Sequence, residues 1–150
     1  MIAPLNPQDI RIAEQMHQVF QVSYRVEAEL LGVEDFPPLK RSVSDLLGSS
    51  TSFFGYWMKQ QLIAVVEVEE QENTTNINSL VVDPAFFRRG IARQLLAFVR
   101  ASYPSGMITV ETGADNLPAI RLYENFGFKK EKQWWTSIGI KKIKLSLPIA

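Results

Sequence analysis

Basic residues crowd one stretch of the chain. In SLVVDPAFFRRGIARQLL an apolar, strand-like run passes through Asp83 and Pro84 into a turn holding Arg88, Arg89 and Gly90, which opens at Ile91, Ala92 and Arg93 into an amphipathic helix. The first amides of a helix have no partner within it and carry the positive end of its dipole, so such a turn can seat an anion. Gly90 permits close backbone approach and Ala92 adds little bulk. The arginines supply cationic donors, although arginines here equally serve as a solvated surface. The turn lacks the Gly-Lys-Ser or Gly-Lys-Thr ending of a P-loop and the three spaced glycines of a dinucleotide fingerprint, which argues against nucleotide triphosphatases and dehydrogenases. A second stretch, VETGADNLPAIRLYENFGF, runs from a strand through a polar turn into a short helix. Asn116 suits the cap of that helix and Pro118 its first turn. Tyr123 shares a helical face with Ala119 and Phe126, which by itself reads as core.

Together the two stretches, over about residues 77 to 128, resemble the coenzyme A and acceptor signatures of the GNAT superfamily of N-acetyltransferases. The first signature is a Gln or Arg, two variable residues, Gly, one variable residue, then Gly or Ala. Gly90, Ile91 and Ala92 fit it, while Phe87 stands where the Gln or Arg would be and Arg88 and Arg89 keep the turn basic. The second is an Asn followed by a helix with Ala, a Leu-Tyr pair and a closing Gly-Phe, matched by Asn116, Ala119, Leu122, Tyr123, Gly127 and Phe128. The resemblance implies that the pyrophosphate of acetyl-coenzyme A rests on the amides from Arg88 to Arg93. It also implies that the pantetheine arm pairs with the backbone of Leu80, Val81 and Val82, between a fourth and a fifth strand that splay apart.

Acetyl transfer to an amine sets two proton tasks. An amine with a pKa near ~10 must lose a proton before attacking the thioester, and the departing thiolate must gain one. Tyr123 matches the family tyrosine that serves the sulfur. Glu111 matches a glutamate used as base in some ribosomal-protein N-terminal acetyltransferases, and a solvated carboxylate at a strand end is the competing reading. The fourth-strand glutamate of many relatives is missing from NINSLVV. Ordered water, His17, Glu67 and Glu69 are the other candidates for the base; period two points both glutamates the same way, and an exposed face accounts for them better. A backbone amide at Leu80, Val81 or Val82 would hold the oxyanion.

These residues need a scaffold. Residues 1 to 6 read as a short strand and IRIAEQMHQVFQVSYRVEAELL as one or two helices. Pro37 and Pro38 break the pattern, and Ser42 would cap a short helix over Val43 to Leu47. SFFGYWM, LIAVVEVE and NINSLVV form an antiparallel meander, followed by the helix from Gly90, the strand MITVET, the helix from Leu117 to Asn125 stopped by Gly127, and two strands around Gly139. The expectation is an α/β (α+β) fold, a twisted mixed and mostly antiparallel sheet of six to seven strands flanked by about four helices, in a single domain over residues 1–150.

Composition narrows the function. Sixteen basic residues balance sixteen acidic ones, so no global field draws the chain to nucleic acid or an anionic membrane. Cysteine is absent, which removes thiolate nucleophiles and cysteine-based zinc sites, and no metal is expected. The first residues show no targeting pattern and no run approaches a membrane span, so a cytoplasmic location is expected. The partners expected are acetyl-CoA and an amine acceptor, either a small molecule or a protein N-terminus. Two readings compete with the enzyme: an acyl-coenzyme A-binding sensor, and a nucleic-acid platform built from KKEKQWWTSIGIKKIK, which the usual role of late-strand lysines in blocking aggregation argues against. Exposure of Trp134 or Trp135 would offer a homodimer surface.

Overall fold

The computed structural model describes residues 1–104 and 106–149. After strand β1 (Ile2–Leu5), the Asp9 side chain accepts a hydrogen bond from the Arg11 amide and starts helix α1 (Ile10–Leu31). Of the one or two helices expected over Ile10–Leu31 there is one, because nothing in the stretch breaks the apolar spacing until Gly32. That glycine takes φ 67° and closes the helix by donating to the Ala28 and Glu29 carbonyls. A 3-10 turn at Pro37–Lys40 leads to helix α2 (Val43–Leu47), whose Ser42 and Asp45 cap each other reciprocally.

Three antiparallel strands follow, β2 (Ser52–Met58), β3 (Gln61–Gln71) and β4 (Thr74–Val82). Helix α3 (Ile91–Ser102), strand β5 (Gly106–Gly113), helix α4 (Leu117–Phe126) and strands β6 (Lys129–Trp135) and β7 (Lys141–Ile149) complete the chain. The seven strands make one sheet in the order β1-β2-β3-β4-β5-β7-β6, antiparallel except for β4 against β5.

Alternation along β4 divides the core. Val81 joins Ala13, Met16 and Val19 of α1 and Leu46 of α2. Val82 joins Ile91 and Leu95 of α3 and Ile120 and Tyr123 of α4 on the other face, with Leu80 packed against that cluster. The end of α1 leans on β5, where a Cβ on Gly113 would fall 2.5 Å from Leu31 Cδ2. A side chain at Gly113 would force Leu31 to move.

The β4–β5 ladder is short. Pairing runs from Thr74 opposite Met107 to Ile77 opposite Val110 and then stops, although β4 continues to Val82 and β5 to Gly113. From Asn78 onward β4 keeps only its bonds to β3. The two strands diverge there.

Candidate active site

Two cavities meet at this divergence. The smaller, about 570 Å³, is lined by Val82, Phe86, Phe87, Arg88, Gly90, Ile91, Ala92 and Arg93 and by Pro118 and Leu122 of α4. The larger, about 580 Å³, is lined by Tyr24, Phe36, Arg41, Glu67, Ser79, Glu111, Tyr123 and Lys142 among others. Glu27, Leu80, Asn116 and Ala119 line both. A long molecule could run through from one to the other.

The floor of the smaller cavity is the basic turn. Gly90 is the N-cap of α3 at φ 73°, and Arg88 also takes a positive φ, 64°. For a residue with a Cβ this costs on the order of 1–2 kcal/mol, a strain that collects where backbone amides must converge. Among the described residues no side chain caps α3, so its first amides stay available to a ligand. A Cβ at Gly90 would meet nothing within 4 Å, so the glycine keeps open the space in front of those amides.

The arginines are not equivalent. Arg88 and Arg93 line the cavity, while Arg89 lies 5.1 Å over the Phe86 ring and lines neither cavity. Ile91, 3% exposed, gives its side chain to the core, and its amide belongs to the uncapped first turn of α3. Among the three β4 candidates, Leu80 and Val82 line the cavity, whereas Val81 lines neither.

Asn116 caps α4 by accepting from the Ala119 amide at 3.3 Å, as its position in the sequence suggests. That cap aims α4 at the divergence and brings Tyr123 up beside it. Tyr123 is 5% exposed and packs edge-on against Phe128. Burial pushes its phenol well above the ordinary range, and the negative charge of Glu27 adds to the effect. The residue therefore stays protonated across any working pH.

The larger cavity rests on a buried polar network. Glu67 accepts from Arg41 Nη1 at 2.7 Å and Nη2 at 2.9 Å, from Thr51 at 2.7 Å and from Ser79 at 3.0 Å, while Tyr24 donates to Ser79 at 3.2 Å. Arg41 also stacks over Phe20 and Phe53. Burial alone would raise the Glu67 carboxyl, but the hydrogen bonds from Arg41 and Thr51, the guanidinium charge and Ser79 outweigh it and hold it below 4.5. The Tyr24 phenol, by burial, is pushed up to about 12 against the lowering effect of Ser79.

This corrects the expectation for the two β3 glutamates. Glu69 is exposed, but Glu67 is 3% exposed, because Arg41, Thr51 and Ser79 close over its carboxylate. With four donors on it, Glu67 is saturated and ionised and is a poor proton acceptor. Its effect on stability has a definite sign. A carboxyl depressed in the folded chain contributes stability that is fully present above 4.5 and lost as the pH falls through the folded value. Urea unfolding at pH 6 and at pH 3 should show a loss in the native chain that is smaller in Glu67→Gln; equal losses in both would remove Glu67 from the acid response.

Two further carboxylates, those of Glu111 and Glu27, line the larger cavity. Glu111 is exposed at the end of β5 and lines the larger cavity. Glu27, on the half-buried side of α1, was not singled out by the sequence, where it is one of many acidic residues on a helix. Burial raises its carboxyl, with Asn116, the Lys142 ammonium and Thr112 drawing it back. His17 lies a full helical stretch away beside Gln21 and lines neither cavity.

The model of the acetyltransferase (GNAT) family matches residues 13–128. The chain belongs to that family. Among solved structures it resembles the ribosomal-protein-S18-alanine N-acetyltransferase from Escherichia coli, with a TM-score of 0.78 and 21% identity over 100% of this chain and 94% of that one. It also resembles the PaiA N-acetyltransferase from Thermoplasma acidophilum in complex with coenzyme A, with a TM-score of 0.77 and 17% identity over 96% and 98%. At these identities the likeness is one of fold. The curated relative UPF0157 protein YqkA of Bacillus subtilis (strain 168) is 36% identical over 131 residues, covering 87% of this chain. The chain spans 38% of that relative's length. The GNAT fold thus accounts for the short β4–β5 ladder and the helix α3 turn as one arrangement. Among the described residues no helix is long and apolar enough to cross a membrane.

Proposed function

We propose that residues 1–150 form one acetyltransferase domain that moves an acetyl group from acetyl-CoA to a primary amine by direct attack in a ternary complex. The observation that carries this reading is the meeting of two cavities at the end of the β4–β5 ladder, one floored by a basic helix N-terminus and the other lined by carboxylates. The donor lies in the smaller cavity, its phosphates on the amides from Arg88 to Arg93 and its arm against Leu80 and Val82. The arm would pair with the β4 backbone that β5 leaves free. The amine enters from the larger cavity.

In the reaction Glu111 takes the proton from the ammonium, the freed nitrogen bonds to the thioester carbon, and a β4 amide near Leu80 holds the oxyanion. The carbon–sulfur bond then breaks, Tyr123 gives its proton to the departing sulfur, and the second proton shed by the nitrogen restores the phenol. Glu27, on the wall common to both cavities, holds the amine against the thioester. The coenzyme-bound PaiA structure supports the donor assignment.

Acetyl-CoA at about 100 times its Kd should stabilise the native chain by roughly 2.7 kcal/mol, read as a rise in Tm. Gly90→Glu should abolish that rise, since its carboxylate would occupy the space before the amides. Gly90→Ala, which adds only the left-handed strain, should keep most of it. A Tm unmoved by acetyl-CoA in the native chain would overturn the donor site. Stabilisation without thiol release across an amine panel would instead favour an acyl-coenzyme A-binding module.

A further inference from the structure

The C-terminal hairpin carries six lysines (Lys129, Lys130, Lys132, Lys141, Lys142 and Lys144) and one acidic residue, Glu131, in a chain of zero net charge. The positive charge is ordered. Ile143 and Leu145, 1% and 0% exposed, point into the core, so Lys142 and Lys144 alternate onto the opposite face of β7. There Lys144 stands between Glu111 of β5 and Lys132 of β6, and Lys142 between Gly113 and Trp134. Lys132 Nζ lies 5.4 Å over the Trp134 ring. Like charges directly opposed across strands cost stability, and the Glu131 carboxylate, 3.8 Å from Lys144 and 42% exposed, offsets little of it. Lys142, with Thr136 and Ile138 of the hairpin turn, lines the larger cavity. The basic strip therefore starts in the cavity wall and runs out along the sheet.

We propose that this strip reads the acceptor, and that the acceptor is a peptide whose free N-terminal amine is followed by acidic residues. The proposal rests on the acetyl-transfer reading above. The amine sits in the larger cavity with Glu27 and Glu111, and the carboxylates that follow it lie along Lys142, Lys144 and Lys132. Opposite charges at the two ends fix the direction in which the peptide enters. A free amino acid, about 3.5 Å long, would not reach Lys132, since Lys144 stands opposite Glu111 and Lys132 lies one strand further out, roughly 10 Å from Glu111. A nucleic acid would match the charge of the strip but brings no primary amine to the cavity carboxylates. A basic N-terminal segment is repelled.

The test is a set of peptides with one common first residue followed by acidic, neutral or basic residues, together with small amines and a single-stranded oligonucleotide. Each is assayed for thiol release with acetyl-CoA and, separately, for binding by tryptophan fluorescence, because Trp134 lies in the strip. The acidic peptide should exceed the neutral one in kcat/KM by about tenfold and the basic one by more, with the gap closing as salt rises. Lys132→Glu should level or reverse the ranking while leaving turnover of small neutral amines unchanged. Acetylation without a charge preference, acetylation confined to small amines, or an oligonucleotide that outcompetes the acidic peptide would each overturn the proposal and leave the enzyme reading intact. Salt-dependent binding of the acidic peptide without turnover of any amine would support the strip and overturn the enzyme reading.

Discussion

Tyr123→Phe is expected to lower kcat about 100-fold, at the low end of what a positioned general acid contributes. The phenol is buried in the junction wall, and that desolvation is what keeps its proton on at neutral pH. A departing thiolate needs a proton, and a phenol held neutral in the cavity wall is placed to give it. The substitution keeps the ring and its edge-on contact with Phe128, and among the described residues no hydrogen bond to the hydroxyl lowers its pKa. Tm and the stabilisation by acetyl-CoA should therefore stay close to native, confining the effect to the chemical step. Steady-state thiol release decides the matter, and a fall of less than threefold would remove the hydroxyl from catalysis.

Arg41→Ala should have the largest effect on stability, about 3–5 kcal/mol, out of the 5–15 kcal/mol typical of a folded domain. It strands the Glu67 carboxylate, 3% exposed, with Thr51 and Ser79 as its remaining donors. It also strips the cation from the Phe20 and Phe53 rings. In a chain of this length the loss corresponds to a drop in Tm of roughly 6–20 °C. Thermal unfolding at pH 7 measures it. Arg41→Met combined with Glu67→Leu should recover part of the loss, because removing both charges removes the uncompensated one. A single-variant loss below about 1 kcal/mol would show that the pair is dispensable.

The sequence allowed the elements to be read wherever local chemistry sets them. The Ser42 and Asn116 caps, the stop at Gly127 and the alternation in β4 and β5 depend on neighbours within a turn or two. The two signature stretches were readable as local structure for the same reason, since each is a strand, a turn and a helix start in sequence order. Glu67 was misread as exposed because the guanidinium that covers it, that of Arg41, lies 26 residues away in the chain. Glu27 went unnoticed for a related reason: it matters only because α1 crosses the diverging strands at that point. The divergence itself was readable through family resemblance and not from residue pattern, because where a parallel ladder ends is a property of two strands separated by a helix.

The end of that ladder also bears on how the chain behaves at high concentration. The N–H and C=O groups of β4 from Asn78 to Val82 that would have met β5 form a sheet edge in the middle of a sheet. Edges of this kind recruit foreign strands, and natural sequences blunt them with charge or proline. The run Asn-Ser-Leu-Val-Val has neither. Its protection falls to whatever extended molecule lies in the cleft. A coenzyme arm bound there would act as a strand-shaped plug, and an opening that admits such a donor would tie the colloidal stability of the chain to the donor's concentration.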